Sequence, residues 1–257
     1  MSMAISWERM TQRLNQAADI LNVTDPVSAL GPLHMGIDLG TADVVLMVLD
    51  ELGEPQAAFL EWAEVVRDGV VVDFIGAADI VSRLVDKARK RLGVELPTAA
   101  TSYPPGTDPR LSTNILERAG LEVVAVEDEP RCVASLLQLD KAAVVDIGGG
   151  TTGTAVVQRE KVVFSGDEPT GGRHISLAIA GHFNISFEEA EVRKRQPEKY
   201  GILDLARPTL QRISDIVAGH IQGHTVERVV LTGGTCCLPG VDASNSGPRR
   251  NDAGFAR

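Results

Sequence analysis

Aromatic residues make up only 4% of this 257-residue chain, and cysteine occurs three times. A core so poor in Phe, Tyr and Trp must be built from Val, Ile, Leu and Ala, which suits an α/β packing with close backbone approaches. Two of the cysteines, Cys236 and Cys237, are sequence neighbours that cannot readily bridge each other, and with Cys132 the third, a reducing cytoplasm is expected. Five scattered histidines offer no pair at zinc-ligand spacing. No apolar run approaches the ~18 residues of a membrane span, and the first residues lack the basic-then-apolar order of a signal peptide, so no membrane contact is expected. Basic charge is also short. Lys and Arg total 25 against 35 Asp and Glu, a net charge of −10, which argues against a nucleic-acid partner.

What the chain has instead is glycine, 25 residues of it, placed in a pattern. Ile37–Ala42 and Val145–Gly150 repeat one design: apolar strand, aspartate, apolar residue, glycine, then small residues. Each copy runs into further β signal, Val44 to Leu49 after the first and Thr154 to Phe164 after the second, so each aspartate and its glycines occupy the bend of a hairpin in a duplicated chain. Glycine lets backbone N–H groups approach an anion closely, which makes such a bend a phosphate cradle. Two such turns could clasp one polyphosphate. An aspartate beside a phosphate repels it unless a divalent cation intervenes, and Mg2+, held largely through water, is the natural choice.

Two other nucleotide motifs are set aside. Gly148, Gly150 and Gly153 have the dinucleotide spacing, but the residues after them are β-like where that motif opens a helix. No Gly-x-x-x-x-Gly-Lys-Ser/Thr loop occurs. A third glycine signal, Gly233 and Gly234 before Thr235, follows the strand Val229–Leu231 and could admit the flat face of a base.

Around these motifs the spacing predicts a helix from Trp7 to Leu21 and breakers at 22–26. A meander over 35–72 leads to a helix capped by Asp73, closed by Gly93 and buried through Ile75, Ala78, Val81, Leu84, Val85, Ala88 and Leu92. Strands at 98–102 and 122–126 then alternate with helices at 111–119 and 131–139. The expected organisation is an N-terminal amphipathic arm and linker at 1–33, a first lobe at 34–139, a second lobe at 140–240 and an atypical, disordered or frameshifted tail at 241–257.

In this order the motifs resemble the actin, heat-shock chaperone and sugar-kinase superfamily. Within it the chain is similar to the ethanolamine utilization protein EutJ family. The strings that carry this are DLGT (38–41), VVRDG (65–69), AATSYPPGTDPR (99–110), AVVDIGGGTTG (143–153), TGGRHISL (170–177) and TGGTC (232–236). The resemblance implies an α/β, actin-like ATPase (ribonuclease H-like) fold with two lobes and mixed sheets around a nucleotide cleft, and minimal insertions in the first lobe. It implies ATP and Mg2+ as cofactors, with Asp38 and Asp146 orienting the metal's waters. Gly40, Thr41 and Ala42 with Gly148, Gly149, Gly150 and Thr151 would bind phosphate oxygens. Glu129, shared with Asp146, would position an attacking water. Glu191 and Lys194 would contact ribose and base, and Gly233, Gly234 and Thr235 the adenosine. The implied role is that of a chaperone-like protein acting on ethanolamine ammonia-lyase or on microcompartment shell proteins.

Three departures qualify the resemblance. DnaK-type chaperones continue into a separate peptide-binding domain, whereas here only residues 236–257 follow Thr235, so a client is expected to bind elsewhere. No lysine occurs from Thr41 to Asp86, where such chaperones place one near the γ-phosphate, which points to slow or absent hydrolysis. The closing helix, strand and helix after the adenosine segment are replaced by the atypical tail, which would expose apolar surface and favour self-association. A small-molecule kinase of the same fold and a polymerising scaffold remain alternatives. Arg131, where the family has a small residue, could pair with Glu129 or phosphate or face solvent. His174 reads as a cap or packing residue rather than an acid or base, and Cys236 and Cys237 as packing residues below the adenosine.

Overall fold

The computed structural model describes residues 5–29, 31–63, 65–67, 70–238, 241 and 255–256. The chain divides into two units. The first runs to Cys132 and takes Leu136–Gln138, and the second takes Val133–Ser135 and continues from Leu139.

In the first unit β1 (Leu33–Leu39), β2 (Asp43–Asp50) and β3 (Pro55–Trp62) form an antiparallel meander. Burial alternates along β1 and β2, where Met35, Ile37, Leu39, Val44, Leu46 and Val48 turn inward. A short pair, β4 (Val66–Arg67) and β5 (Val70–Val71), follows; its expected turn, residues 68–69, lies outside the described residues. The Asp73 carboxylate then accepts the Gly76 N–H at 2.9 Å and starts α2 (Phe74–Leu92), and Gly93 at φ +67° ends it. The inward face of α2 is the expected one except at Ile75, which is 63% exposed. Ile75 lies in the first turn, before the buried run along the sheet begins at Ala77.

Thereafter β6 (Thr98–Tyr103), α3 (Arg110–Arg118) and β7 (Glu122–Asp128) complete the sheet, in the order β3-β2-β1-β6-β7, with β6 parallel to both β1 and β7. The N-terminal helix α1 (Trp7–Asp19) is tied to this unit by Arg9 and Arg13, both bonded to Glu54. Only Ala17 of α1 is buried and Leu14 stays exposed, so its apolar stripe is mostly not covered. Behind it, the buried Arg91 guanidinium donates to the carbonyls of Val23, Asp25 and Gln56, and Asn22 exchanges bonds with Leu60. These bonds fasten residues 22–25 along the outer edge of β3.

The helix α4 (Glu129–Leu136) follows β7. In the second unit β8 (Ala142–Ile147), β9 (Thr152–Gln158) and β10 (Lys161–Glu168) repeat the antiparallel meander. The β run from Thr154 to Phe164 is two strands, because Arg159 and Glu160 both take positive φ, the requirement of a two-residue hairpin turn. Four helices come next: α5 (Gly172–Phe183), α6 (Phe187–Lys194), α7 (Pro197–Tyr200) and α8 (Leu203–Ile221). β11 (Arg228–Thr232) returns parallel to β8, and β12 (Phe255–Ala256) lies parallel to β11. The order β10-β9-β8-β11-β12 matches that of the first sheet, so the sequence repeat is also a repeat of topology. Each unit has its own core, one around Leu46, Phe59 and Leu84 and the other around Ile147, Ile175 and Ile179. Of the tail expected at 241–257, most lies outside the described residues. No helix among the described residues is long and apolar enough to cross a membrane.

Candidate functional site

The second unit assembles most of the expected site around the bend between β8 and β9. Gly148 donates its N–H to the Thr151 carbonyl at 3.0 Å, closing a tight turn. Gly150 and Thr151 are buried, yet the N–H groups of Gly149, Gly150 and Thr151 have no backbone acceptor among the described residues. Such donors suit the oxygens of an anion. The loop's carbonyls are held from the other side. Gly148 O accepts from the Gly172 N–H at 3.0 Å and from the Thr235 hydroxyl at 2.8 Å, and Gly149 O accepts from the Arg173 N–H at 2.7 Å. The first amides of α5 are thus used on the loop rather than on a ligand, and they fix its shape.

This packing explains a glycine pair that the sequence reading did not place in the site. A Cβ on Gly171 would come within 2.7 Å of Gly148 O, and one on Gly172 within 2.3 Å of the Thr235 hydroxyl. A glycine pair opening an apolar helix was the available signal. Gly233 is held as tightly, with φ +88° and space for a Cβ only 2.4 Å from an Asp146 carboxylate oxygen. Asp146 therefore lies directly against the turn of Gly233, beside Gly234 and Thr235 in the short 3-10 turn Gly234–Cys237.

Glu191 and Lys194 meet on one face of α6 at 2.7 Å, and both also contact Ser176 of α5, while Lys194 Nζ donates to Gly172 O at 3.2 Å. His174 is a cap: its Nδ1 accepts the Gly171 N–H at 3.2 Å. Cys236 donates to Thr232 O, and its thiol is pushed up to about 12, first by burial and then by the charge of Asp146, so it is inert at neutral pH.

In the first unit the corresponding bend joins β1 to β2. Asp38 accepts a hydrogen bond from the Ser102 hydroxyl at 2.5 Å, but burial dominates and holds its carboxyl above the usual carboxylate range. Gly40 fits where a Cβ would be 2.9 Å from Asp43 O, and Ala42 accepts the Ala63 N–H at 3.0 Å, with Thr41 between them. Glu129 opens α4. The buried Asp128 carboxylate caps that helix through the Arg131 N–H at 3.0 Å, and the Arg131 guanidinium pairs with Glu127 at 3.4 Å. A carboxylate whose burial disfavours its charge gains from a nearby cation, so Asp38 fits a role beside Mg2+. Among the described residues no three acidic, His or Cys side chains form a metal cluster, so an ion here would rely on few direct protein ligands and mainly on water and phosphate.

A model of the type IV pilus assembly protein PilM family matches residues 112–246. The ethanolamine utilization protein EutJ of Escherichia coli (strain K12) is 53% identical over 239 residues, 93% of this chain and 85% of that protein. The crystal structure of ethanolamine utilization protein EutJ from Carboxydothermus hydrogenoformans superposes with a TM-score of 0.87 at 42% identity, covering 94% of this chain and 91% of that one. MreB5 of Spiroplasma citri bound to ADP has a TM-score of 0.64 at 17% identity over 82% of this chain and 87% of its own, which shows the actin-like fold. The chain belongs to the ethanolamine utilization protein EutJ family, within the wider group that the PilM model describes.

Proposed function

We propose, from that membership, that this actin-like protein of ethanolamine utilization binds ATP with Mg2+ and uses the bound nucleotide to change its contacts with a client. The observation that carries the reading is the 148–151 turn. The amides of Gly149, Gly150 and Thr151 have no backbone acceptor among the described residues, the carbonyls of Gly148 and Gly149 are held by α5 and Thr235, and Asp146 precedes the turn by two residues. Gly148, Gly149, Gly150 and Thr151 would bind phosphate oxygens, and Asp146 would hold the waters of Mg2+, which neutralises phosphate charge when bound. Asp38, Gly40, Thr41 and Ala42 offer the corresponding groups on the bend of the first unit, for the metal's waters and for phosphate oxygens. Gly233, Gly234 and Thr235 would face the adenosine, and Glu191 the ribose. Lys194, with its three bonds made within the protein, is better placed to brace Glu191 than to grip a base.

Glu129, at the start of α4, would orient an attacking water, and Asp146 could share that task. Without a lysine between Thr41 and Asp86, turnover is expected to be slow or absent. The client is proposed to be ethanolamine ammonia-lyase or a microcompartment shell protein, which fits a chaperone-like role in the cytoplasm. Calorimetric titration with ATP, with and without Mg2+, tests the core of this reading. Asp146→Ala should weaken Mg2+-dependent ATP binding by about tenfold or more. Equal affinity of the variant and the parent would remove Asp146 from the metal's surroundings.

A further inference from the structure

We propose that Ser176 is the positioning residue of this site and sets a preference for ribose over deoxyribose, an inference that rests on the nucleotide-binding reading above. Ser176 lies in the second turn of α5 and is fully buried. Three groups surround its hydroxyl: a Glu191 oxygen, Lys194 Nζ at 2.8 Å and Gly172 O at 3.2 Å. A hydroxyl has a single proton to give. The carboxylate is the closer and stronger acceptor, so the O–H goes to Glu191 while Lys194 donates to Oγ.

Lys194 has three N–H bonds to give and gives all of them, to Ser176, to Glu191 Oε1 at 2.7 Å and to Gly172 O. Glu191 Oε1 therefore receives two donors. Its other oxygen, Oε2, has no protein donor among the described residues, and the side chain remains 25% exposed. A carboxylate pinned by one oxygen presents the other in a single orientation, as an acceptor for a ligand hydroxyl. A site built to bond a hydroxyl rejects the analogue lacking it, because the acceptor is then left without a partner.

The consequences of removing Ser176 are separable. Without Oγ, Lys194 keeps two of its bonds, including the one to Gly172 O, and Gly172 still holds Gly148. The phosphate turn stays supported, whereas Glu191 is left with the Lys194 bond alone and gains freedom to rotate about it. Sugar recognition should therefore fall while phosphate binding persists.

The experiment is calorimetric titration of the full chain with Mg2+ and ATP, 2′-deoxy-ATP or tripolyphosphate, for the parent, Ser176→Ala and Ser176→Thr. The parent should prefer ATP to 2′-deoxy-ATP by about tenfold. Ser176→Ala should bring that ratio close to one with tripolyphosphate affinity changed by less than about threefold, and Ser176→Thr, which keeps the hydroxyl, should restore the ratio. The proposal is overturned if Ser176→Ala retains the parent's ratio, or if both variants lose tripolyphosphate binding together with the ratio. A parent that binds ATP with no sugar preference also overturns the role of Ser176 while leaving the nucleotide reading intact. A parent that binds neither ATP nor tripolyphosphate overturns that reading itself.

Discussion

At the level of single residues, burial and charge pull against each other at Asp38. Burial raises its carboxyl above the ordinary 3.8, so the folded state is favoured while Asp38 is protonated and loses that contribution as pH rises through the raised value. Asp38→Asn, neutral throughout, should melt at a higher temperature than the parent near pH 7 without nucleotide, and the gap should close as pH falls toward 4. Thermal unfolding across that range checks the sign; a variant less stable at neutral pH would contradict it. Gly233 is the opposite case. Its φ of +88° and the 2.4 Å approach to both Asp146 and Ile147 O leave no room for a methyl group. Gly233→Ala should cost more than about 2 kcal/mol in a denaturant titration. Gly233 was legible in the sequence as part of a glycine signal, but not the reason for it. The sequence suggested room for a base beside the pair; the structure adds the Asp146 carboxylate packed against Gly233, a contact across 87 residues that no local pattern encodes.

Among elements, the strands and helices around the two repeats were readable because alternation and caps are local. Asp73 and Gly93 bound α2 as their types require. The fastening of residues 22–25 was not readable, because it depends on Arg91, a charged residue near the end of an otherwise ordinary helix. Its guanidinium is buried against three carbonyls with no carboxylate in its bonding set. Arg91→Leu would leave those carbonyls without donors, at about 3 kcal/mol, and should expose residues 5–27 to limited proteolysis well before the sheet unfolds. Cleavage at the parent's rate would show that the other bonds of this segment suffice. Likewise the Gly171–Gly172 pair was visible as a helix start. Its contact with the 148–151 turn, 22 to 24 residues earlier in the chain, was not.

For the whole molecule, two cores of similar construction predict two unfolding events. Leu46→Ala and Ile179→Ala each empty a fully buried site and should each cost about 3 kcal/mol. Hydrogen exchange should find the loss confined to the unit that carries the substitution; a uniform loss across both units would mean one cooperative block. The repeated strand order also shows why the fold class was legible, since each half of the sequence announces the same aspartate-glycine bend between two strands. One atom in the second half has a wider implication. Gly148 O receives donors from the start of α5 and from just beyond β11, so three stretches far apart in the chain are pinned at a common knot. Because α6 reaches the same knot through the Lys194 bond to Gly172 O, changes of length or surface between those stretches are best tolerated in α7 and on the outer face of α8, where new decoration can be added while the three tied strands of chain keep their places.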